Sequence, residues 1–283
     1  MRVTEAPPAV STPVAGSAAD KGARGRWMQE VLALARRWQI ELLRERLNLF
    51  FSATQPAIWL IFFGAGVERA IDTSVIGTDD YISFMLAGII AFTVVGNGVS
   101  GAMPLLWDKE TGYLDRLMSM PIARSSVIVS RFLFQVIQQT IQILLVVAVA
   151  LILGVRIEAG ALGIVVILVA AALLTMSVTA AFSALAYAVP QHGTFFAIVG
   201  FISLPLLFMS NAFVPLDAMP AWMRLVATVN PLTYAIEAMR VLVIEGWSLR
   251  VLSSLGVLSI AAAVCLGLGT REFQRQTGDR VRG

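Results

Sequence analysis

Six apolar segments, near residues 49–67, 82–106, 132–154, 161–188, 194–214 and 251–269, carry no Asp, Glu, Lys or Arg in their central stretches. Each is close to the roughly 20 residues an α-helix needs to cross the hydrocarbon of a bilayer. The alternative is a set of core helices in a large soluble protein. The chain has 283 residues, 58% of them hydrophobic and 14% charged, against about 45–50% apolar and about 25% charged for a soluble domain. A soluble chain of this length has no use for so much apolar surface. The expected fold class is therefore all-α integral membrane, with six transmembrane helices.

The basic residues set the expected orientation. With the N-terminus inside, residues 1–48, 107–131, 189–193 and 270–283 face the cytoplasm and hold sixteen Lys and Arg. The opposite side holds five, Arg69, Arg156, Arg224, Arg240 and Arg250. This asymmetry follows the positive-inside rule, and an even number of spans returns the C-terminus to the cytoplasm. The net charge of +3 then reflects topology and lipid contact rather than nucleic-acid binding.

Residues 1–27, rich in Pro, Ala, Ser and Gly at their start, read as a disordered cytoplasmic tail. They contain no apolar core of signal-peptide length, so no cleaved signal is expected. Over residues 28–48 the pattern changes. Met28, Val31, Leu32, Ala35, Trp38 and Leu42 share one helical face, with Arg36, Arg37, Glu41 and Arg44 over most of the remainder. That predicts an amphipathic helix lying at the cytoplasmic surface, the alternative being a solvated basic stretch. Residues 49–270 form the six-span domain, and 271–283 a basic cytoplasmic tail.

Several kinds of chemistry are excluded by what is missing. One cysteine, Cys265, and one histidine, His192, offer no zinc spacing, no Cys–His nucleophile pair and no internal disulfide. His192 reads as a residue of a short turn. No ionisable residue occupies a span centre, which argues against proton coupling. A phosphate-binding loop needs Gly-Lys-Ser/Thr, and the only lysines are Lys21, in Asp-Lys-Gly, and Lys109, in Asp-Lys-Glu. If this chain pumps, another polypeptide supplies the power.

Between the second and third apolar segments lies WDKETGYLDRLMSMPIARSSVIVSR, residues 107–131. Leu114, Leu117 and Met118 fall at i, i+3 and i+4, forming one apolar stripe from which Asp115 and Arg116 point away. Gly112 breaks the chain before this stripe, and Pro121 ends the helix after Met120. The pattern predicts a short cytoplasmic helix. It can be the part that sits in a partner's groove, or an ordinary interfacial loop.

Two further stretches stand out. In residues 215–245, Pro215, Pro220 and Pro231 divide an apolar region into pieces too short to cross. Irregular backbone at membrane depth needs cover from protein or a water-lined cavity. The expectation is a re-entrant helical hairpin before the last span, broken at Asn230–Pro231, with Glu237 and Arg240 able to pair on one face; surface helices of an extracellular loop are the alternative. In the third span Gln135, Gln138, Gln139 and Gln142 cluster within about a third of the helix circumference. Four amides should face protein or water rather than lipid. They line a pathway or a subunit interface, or they bond between helices of one subunit. Asn97, Ser177, Thr179 and Ser203 read as isolated packing residues.

The 107–131 segment resembles the coupling-helix loop of ABC type-2 transporter permeases, in which Glu-x-Gly-x-x-x-x-Leu leads into a Pro and a basic residue; Glu110, Gly112, Leu117, Pro121 and Arg124 match. NAFVPLDAMPAWMRLVATVNPLTYAIEAMR, residues 211–240, resembles the stretch that precedes the family's last span. With the span order and the amphipathic start, the resemblance covers residues 28–270 and is nearest to the daunorubicin-resistance type. It implies a complex of two permease subunits, as a homodimer or heterodimer, with two copies of an ABC ATPase subunit that bind ATP and Mg; this chain would carry no cofactor and catalyse nothing itself. Glu110, Asp115, Arg116 and Arg124 would touch the ATPase. The element containing Asn230, Pro231, Tyr234, Glu237 and Arg240 would cap the extracellular exit. The location implied is the plasma membrane.

The resemblance leaves the cargo open between a hydrophobic drug, a lipid and a lipid-linked polysaccharide. Phe50, Phe51, Trp59, Phe62, Phe63, Phe92, Phe208 and Met209 can form a greasy cavity, or face lipid and neighbouring helices. An intramembrane enzyme lacks any constellation in the spans to support it. A non-transporting scaffold would leave the coupling-type loop with nothing to couple.

Overall fold

The computed structural model describes residues 16–44, 46–67, 80–112, 124–189 and 191–279. Among these residues every regular element is helical. The order is α1 (Gly16–Arg44), α2 (Arg46–Val67), α3 (Tyr81–Glu110), α4 (Arg124–Ile152), α5 (Gly160–Ala188), α6 (His192–Phe208), a single 3₁₀ turn (Leu216–Ala218), α7 (Ala221–Val229), α8 (Pro231–Ile244) and α9 (Leu249–Asp279). Four stretches are long and apolar enough to cross a membrane: Tyr81–Asp108, Val129–Ile152, Gly160–Ala188 and Leu249–Arg271. Two shorter apolar helical stretches, Phe50–Phe62 and His192–Phe208, occupy the places of the first and fifth expected spans. The fifth falls short because α6 stops at Phe208, three residues after Pro205, and the chain turns through 209–214.

Helix α1 begins upstream of the expected start, so residues 16–27 belong to it rather than to a tail; residues 1–15 lie outside the described residues. Its apolar face is divided. Val31 and Ala35 are buried and Trp38 half-buried, whereas Met28 and Leu32 are exposed. The buried edge packs on α4, and Ser126 Oγ donates to Glu30 Oε2 at 3.0 Å across that contact.

Helices α3 and α5 form the centre, surrounded by α4, α8 and α9, with α2 outside α3. Two apolar helices gain little from burying apolar surface against each other in lipid, so close backbone approach has to supply the contact energy. Glycine provides it here. A Cβ on Gly98 of α3 would lie 2.5 Å from Val178 Cγ1 of α5, and one on Gly88 would lie 2.7 Å from the Ala212 carbonyl oxygen. Asp80 caps α3, its Oδ1 accepting from the Ile82 N–H at 3.0 Å.

Helix α6 contrasts with these. It touches α3 and α5 only sparsely and leaves Phe196, Phe201, Ile202, Leu204 and Phe208 exposed. Helix α7 is also apolar and exposed, through Trp222, Leu225, Val226 and Val229. Helix α8 is the opposite case, with Leu232, Ala235, Ile236, Ala238, Met239 and Leu242 inaccessible. The short helix after Asn230 is thus core, while the one before it lies on the outside.

Both ends of α8 are satisfied by other segments. At its start, Asn230 Oδ1 accepts from the Leu232 N–H at 3.0 Å, with Pro231 in the first turn, where a missing N–H costs nothing. The same side chain's Nδ2 donates to the Leu206 carbonyl at 2.6 Å and the Met209 carbonyl at 3.3 Å. One buried amide therefore caps α8 and closes the carbonyl end of α6. At the other end, the Glu158 and Ala159 N–H groups donate to the Val243 and Leu242 carbonyls, each at 3.1 Å. Gly246, at φ +87°, turns the chain back so that its N–H reaches the Val241 carbonyl at 2.8 Å.

The double role of Asn230 makes a prediction. Asn230→Ala removes the cap and both carbonyl bonds, and should destabilise the detergent-solubilised protein by about 1–2 kcal/mol. Asp is an equally good cap by itself. Here Asn230→Asp should nevertheless be worse than Ala, because it sets a buried carboxylate against two carbonyl oxygens. Thermal melting of the two variants side by side checks the order, and an Asp variant as stable as wild type would show that the carbonyl bonds matter little.

Candidate functional site

The charged end of α3 is where most of the elements meet. The helix is closed by Thr111, whose N–H and Oγ1 both reach the Trp107 carbonyl, at 2.9 and 2.7 Å. Gly112 follows at φ +68° with open space around its Cα. This is the left-handed position that ends a helix and that a side chain resists. The Glu-x-Gly spacing thus has a local cause: the Glu occupies the last helical position and the Gly turns the chain away. Asp115, Arg116, Leu117 and Pro121 lie outside the described residues. Arg124 opens α4.

Side chains at this end tie four segments together. Asp108 of α3 pairs with Arg131 of α4, both side chains 14% exposed. The Arg131 guanidinium also lies 4.8 Å from the ring centre of Trp38 in α1, a cation–π contact. Glu110 Oε1 is hydrogen-bonded to His192 Nδ1 at the start of α6, and the Trp107 ring lies 6.2 Å from the imidazole. His192 is thus not merely a turn residue. It links the α5–α6 connection to the end of α3, through a contact that becomes an ion pair when the imidazole is protonated.

Deeper in the bundle the amides meet a partner from α3. Asn97 Nδ2 donates to Gln139 Oε1 at 2.7 Å and also to Gln142 Oε1, and Gln135 Nε2 donates to the Asn97 carbonyl at 3.0 Å. Gln135, Gln139 and Gln142 are buried. Gln138, half-buried, lines a cavity of about 450 Å³ between α1, α3, α4, α5, α6 and α9. The stripe therefore divides by bonding: Gln135, Gln139 and Gln142 join the Asn97 network inside one subunit, while Gln138 stands outside it and lines the cavity beside Gln135 and Asn97. Asn97, expected to be an isolated packing residue, is the hub of the network. An amide in an otherwise apolar helix is itself a signal, because it costs free energy unless paired.

Near the other end of α3, Arg240 of α8 does not pair with Glu237. Its Nε donates to the Phe84 carbonyl at 3.3 Å and an Nη to the Ala212 carbonyl at 3.2 Å. The guanidinium carbon lies 3.7 Å from the Phe84 ring centre. Two residues separate Glu237 and Arg240 on the helix, but the carbonyls of two other segments claim the donors. Tyr234 Oη donates to the Thr228 carbonyl at 2.7 Å, bracing α8 against α7. Asn230 and Pro231 form the cap described above.

The expected aromatic group does not surround the cavity. Phe50, Phe51, Trp59, Phe62, Phe92 and Phe208 are exposed on the outside of the bundle. The cavity instead takes Trp38, Trp107, Phe132, Phe134, Tyr187 and Phe196. Among the described residues no group of three or more His, Cys, Asp or Glu is placed to hold a metal ion.

Several apolar helices, a charged helix end and irregular segments held by side-chain caps describe a multi-span membrane subunit. Comparison with known proteins makes that class specific. The family model of the ABC-2 type transporter matches residues 29–244. The chain is 35% identical over 221 residues to "Putative transport permease ycf38" of Pyropia yezoensis, covering 76% of this chain and 74% of that one. To the protein of the same name from Cyanophora paradoxa it is 33% identical over 217 residues, with 76% and 74% covered. It is 28% identical over 236 residues to "Daunorubicin resistance ABC transporter permease protein DrrB1" of Streptomyces coeruleorubidus, with 81% and 82% covered. The chain belongs to the ABC-2 type transporter family, as one of its membrane-spanning permeases.

Gln138 and Gln139 are adjacent but have different surroundings, so their substitutions should separate. Gln139→Leu takes an acceptor from the Asn97 amide and should destabilise the protein by about 1 kcal/mol. Gln138→Leu leaves the network whole and should melt close to wild type. Equal melting temperatures for both variants would deny the network a structural role.

Proposed function

We propose that this chain is the permease subunit of an ATP-driven exporter, powered by a separate ABC ATPase and moving a hydrophobic or amphiphilic substrate outward across the plasma membrane. The observation that carries this reading is the junction at the end of α3, where Asp108, Glu110 and Gly112 join the coupling-type segment to α1, α4 and α6 at once. A push on that segment reaches three helices through an ion pair, a cation–π contact and the His192 bond. A loop that only served topology would need none of these ties. The drug-resistance title of the Streptomyces relative and the membership of the family favour an exporter.

In this proposal α2 and α6 join the four long helices as spans, giving six, with both termini in the cytoplasm. The short apolar length of α6 is then made up by the turn at 209–214. Helices α7 and α8 form the re-entrant hairpin, and Asn230, Pro231, Tyr234, Glu237 and Arg240 hold the extracellular gate. The uncovered apolar face of α6 suits a second permease copy in a homodimer. Two ATPase subunits hold ATP and Mg, and contact Glu110, Asp115, Arg116 and Arg124 of each permease, with Leu117 and Pro121 shaping the short helix that docks.

Purification of the tagged chain in mild detergent, with mass spectrometry and an ATPase assay on the same sample, tests the proposal. A soluble subunit bearing a phosphate loop should accompany the wild type. Gly112→Val sets a β-branched residue at φ +68°, a strain of about 1–2 kcal/mol, and should weaken that association about tenfold. Absence of any ATPase from the intact, folded protein would remove the energy source and overturn the exporter reading.

A further inference from the structure

The cavity between α1, α3, α4, α5, α6 and α9 lies within one subunit, and its lining has the character of a ligand site. Its volume of about 450 Å³ falls in the range of roughly 300–1,000 Å³ typical of small-molecule pockets. Its aromatic lining includes Trp107, Phe132, Phe134 and Phe196. Interspersed with these are neutral hydrogen-bonding groups, among them Gln138, Thr179 and Ser183.

Thr179 is the telling residue. Hydroxyls on apolar helices usually bond back to the carbonyl one turn earlier, and most of those described in this bundle do so; Ser203 and Thr233 are buried without a partner as Thr179 is, but neither lines the cavity. Thr93 reaches the Ile89 carbonyl, Thr140 that of Val136, Thr175 that of Ala171 and Ser177 that of Leu173, at 2.7 to 2.9 Å. Thr179, 4% exposed and on the cavity wall, does not, and its Oγ1 has no protein partner. A buried hydroxyl left unpaired is costly, and a ligand's polar group would recover that cost.

Helix α3 adds an acceptor to the lining. Pro104 of α3 has no N–H to give the Ser100 carbonyl, and both residues line the cavity. At the charged end Asp108 pairs with Arg131, and Arg37 adds a second cation there; Gln138, Thr179 and Ser183 are neutral, so a group bonding to them is favoured when it is uncharged.

We infer that this intrasubunit cavity binds an amphiphile with an apolar body and an uncharged hydroxyl or carbonyl group, the group bonding to Thr179 and Gln138. The inference rests on the transporter reading only for the ligand's fate. A molecule of this chemistry has two sources, a transported substrate or a resident membrane lipid, and the site is the same for either.

Photolabelling of the full-length protein, purified with whatever subunits accompany it, tests the site. The probes are three diazirine-bearing sixteen-carbon chains ending in an alcohol, a carboxylate or a quaternary ammonium. The alcohol should label peptides spanning 97–107, 132–138 and 179–187 in preference to both charged probes. Thr179→Val keeps the shape and removes the hydroxyl, and should cut that labelling about fivefold, the worth of one hydrogen bond. Ser183→Phe fills the cavity and should abolish it. Labelling confined to outward residues such as Phe50, Ile58 and Leu162, or equal labelling of wild type and both variants, would overturn the inference. Where the alcohol also stimulates ATPase activity and Thr179→Val weakens that response, the occupant is a substrate; labelling without stimulation marks a resident lipid. Failure to recover any ATPase would sink the exporter proposal and leave the labelling result standing.

Discussion

A polar group inside an apolar helix bundle has no water to turn to, and must find its partner within the protein, on its own helix or on another segment. That constraint sets the arrangement of this protein more than any apolar contact does. Asn97 is held by three glutamines of α4, and Asn230 serves two helix ends. Arg240 is distributed over two carbonyls and an aromatic ring. The N–H groups of Glu158 and Ala159 finish α8. Apart from the local Asn230 cap, each of these bonds joins segments far apart in sequence, and each loses its geometry if one of them slides. Apolar packing against lipid or protein has no such preference, so the polar ties determine register.

Small residues play the complementary part. Gly98 lets α3 approach α5, and Gly101 leaves room for Gln135, whose Oε1 would lie 2.6 Å from an added Cβ. Where α3 and α5 instead present Ser100, Pro104, Ala180 and Ser183, facing the aromatic side chains of other helices, space opens. Close approach at one level and a cavity at the next follow from the same supply of small side chains. A bundle of uniformly large residues would provide neither.

The helical membrane class was legible because charge-free segments of bilayer length have few alternative explanations. The break at Asn230 was legible because proline and a cap residue act locally. The partition of the glutamines was not, because periodicity puts four amides on one face without saying what stands opposite. The same limit applied to Asn97 and Thr179. Both look like lone polar residues in a linear reading, yet the Asn97 amide donates to two glutamines and the Thr179 hydroxyl has no partner. His192 was misjudged for the reason that its partner, Glu110, is distant in sequence. Pairing of Glu237 with Arg240 was expected from helix spacing alone, and longer-range carbonyls proved the better acceptors. Spacing reveals which neighbours are available along one helix, and nothing about competitors from another.

Two of these polar groupings belong to one continuous seam. On α3, Asn97, Gly101, Pro104 and Asp108 recur at the 4- and 3-residue intervals of a single helical face; on α4, Arg131, Gln135, Gln138 or Gln139, and Gln142 do the same. The stripes run antiparallel, so that Asp108 meets Arg131, Gly101 meets Gln135, and Asn97 meets Gln139 and Gln142. The seam begins at the charged helix end, passes along the cavity and finishes at the buried amides. An axial shift between α3 and α4 would break bonds at every level, whereas a tilt about the seam would keep them. The bonds along the seam therefore oppose sliding of the pair more than a tilt about it. A force applied at Gly112 would on this account reach the cavity as a change in the angle of α3 and α4 relative to α5, altering its width without unmaking the polar contacts that hold the subunit together.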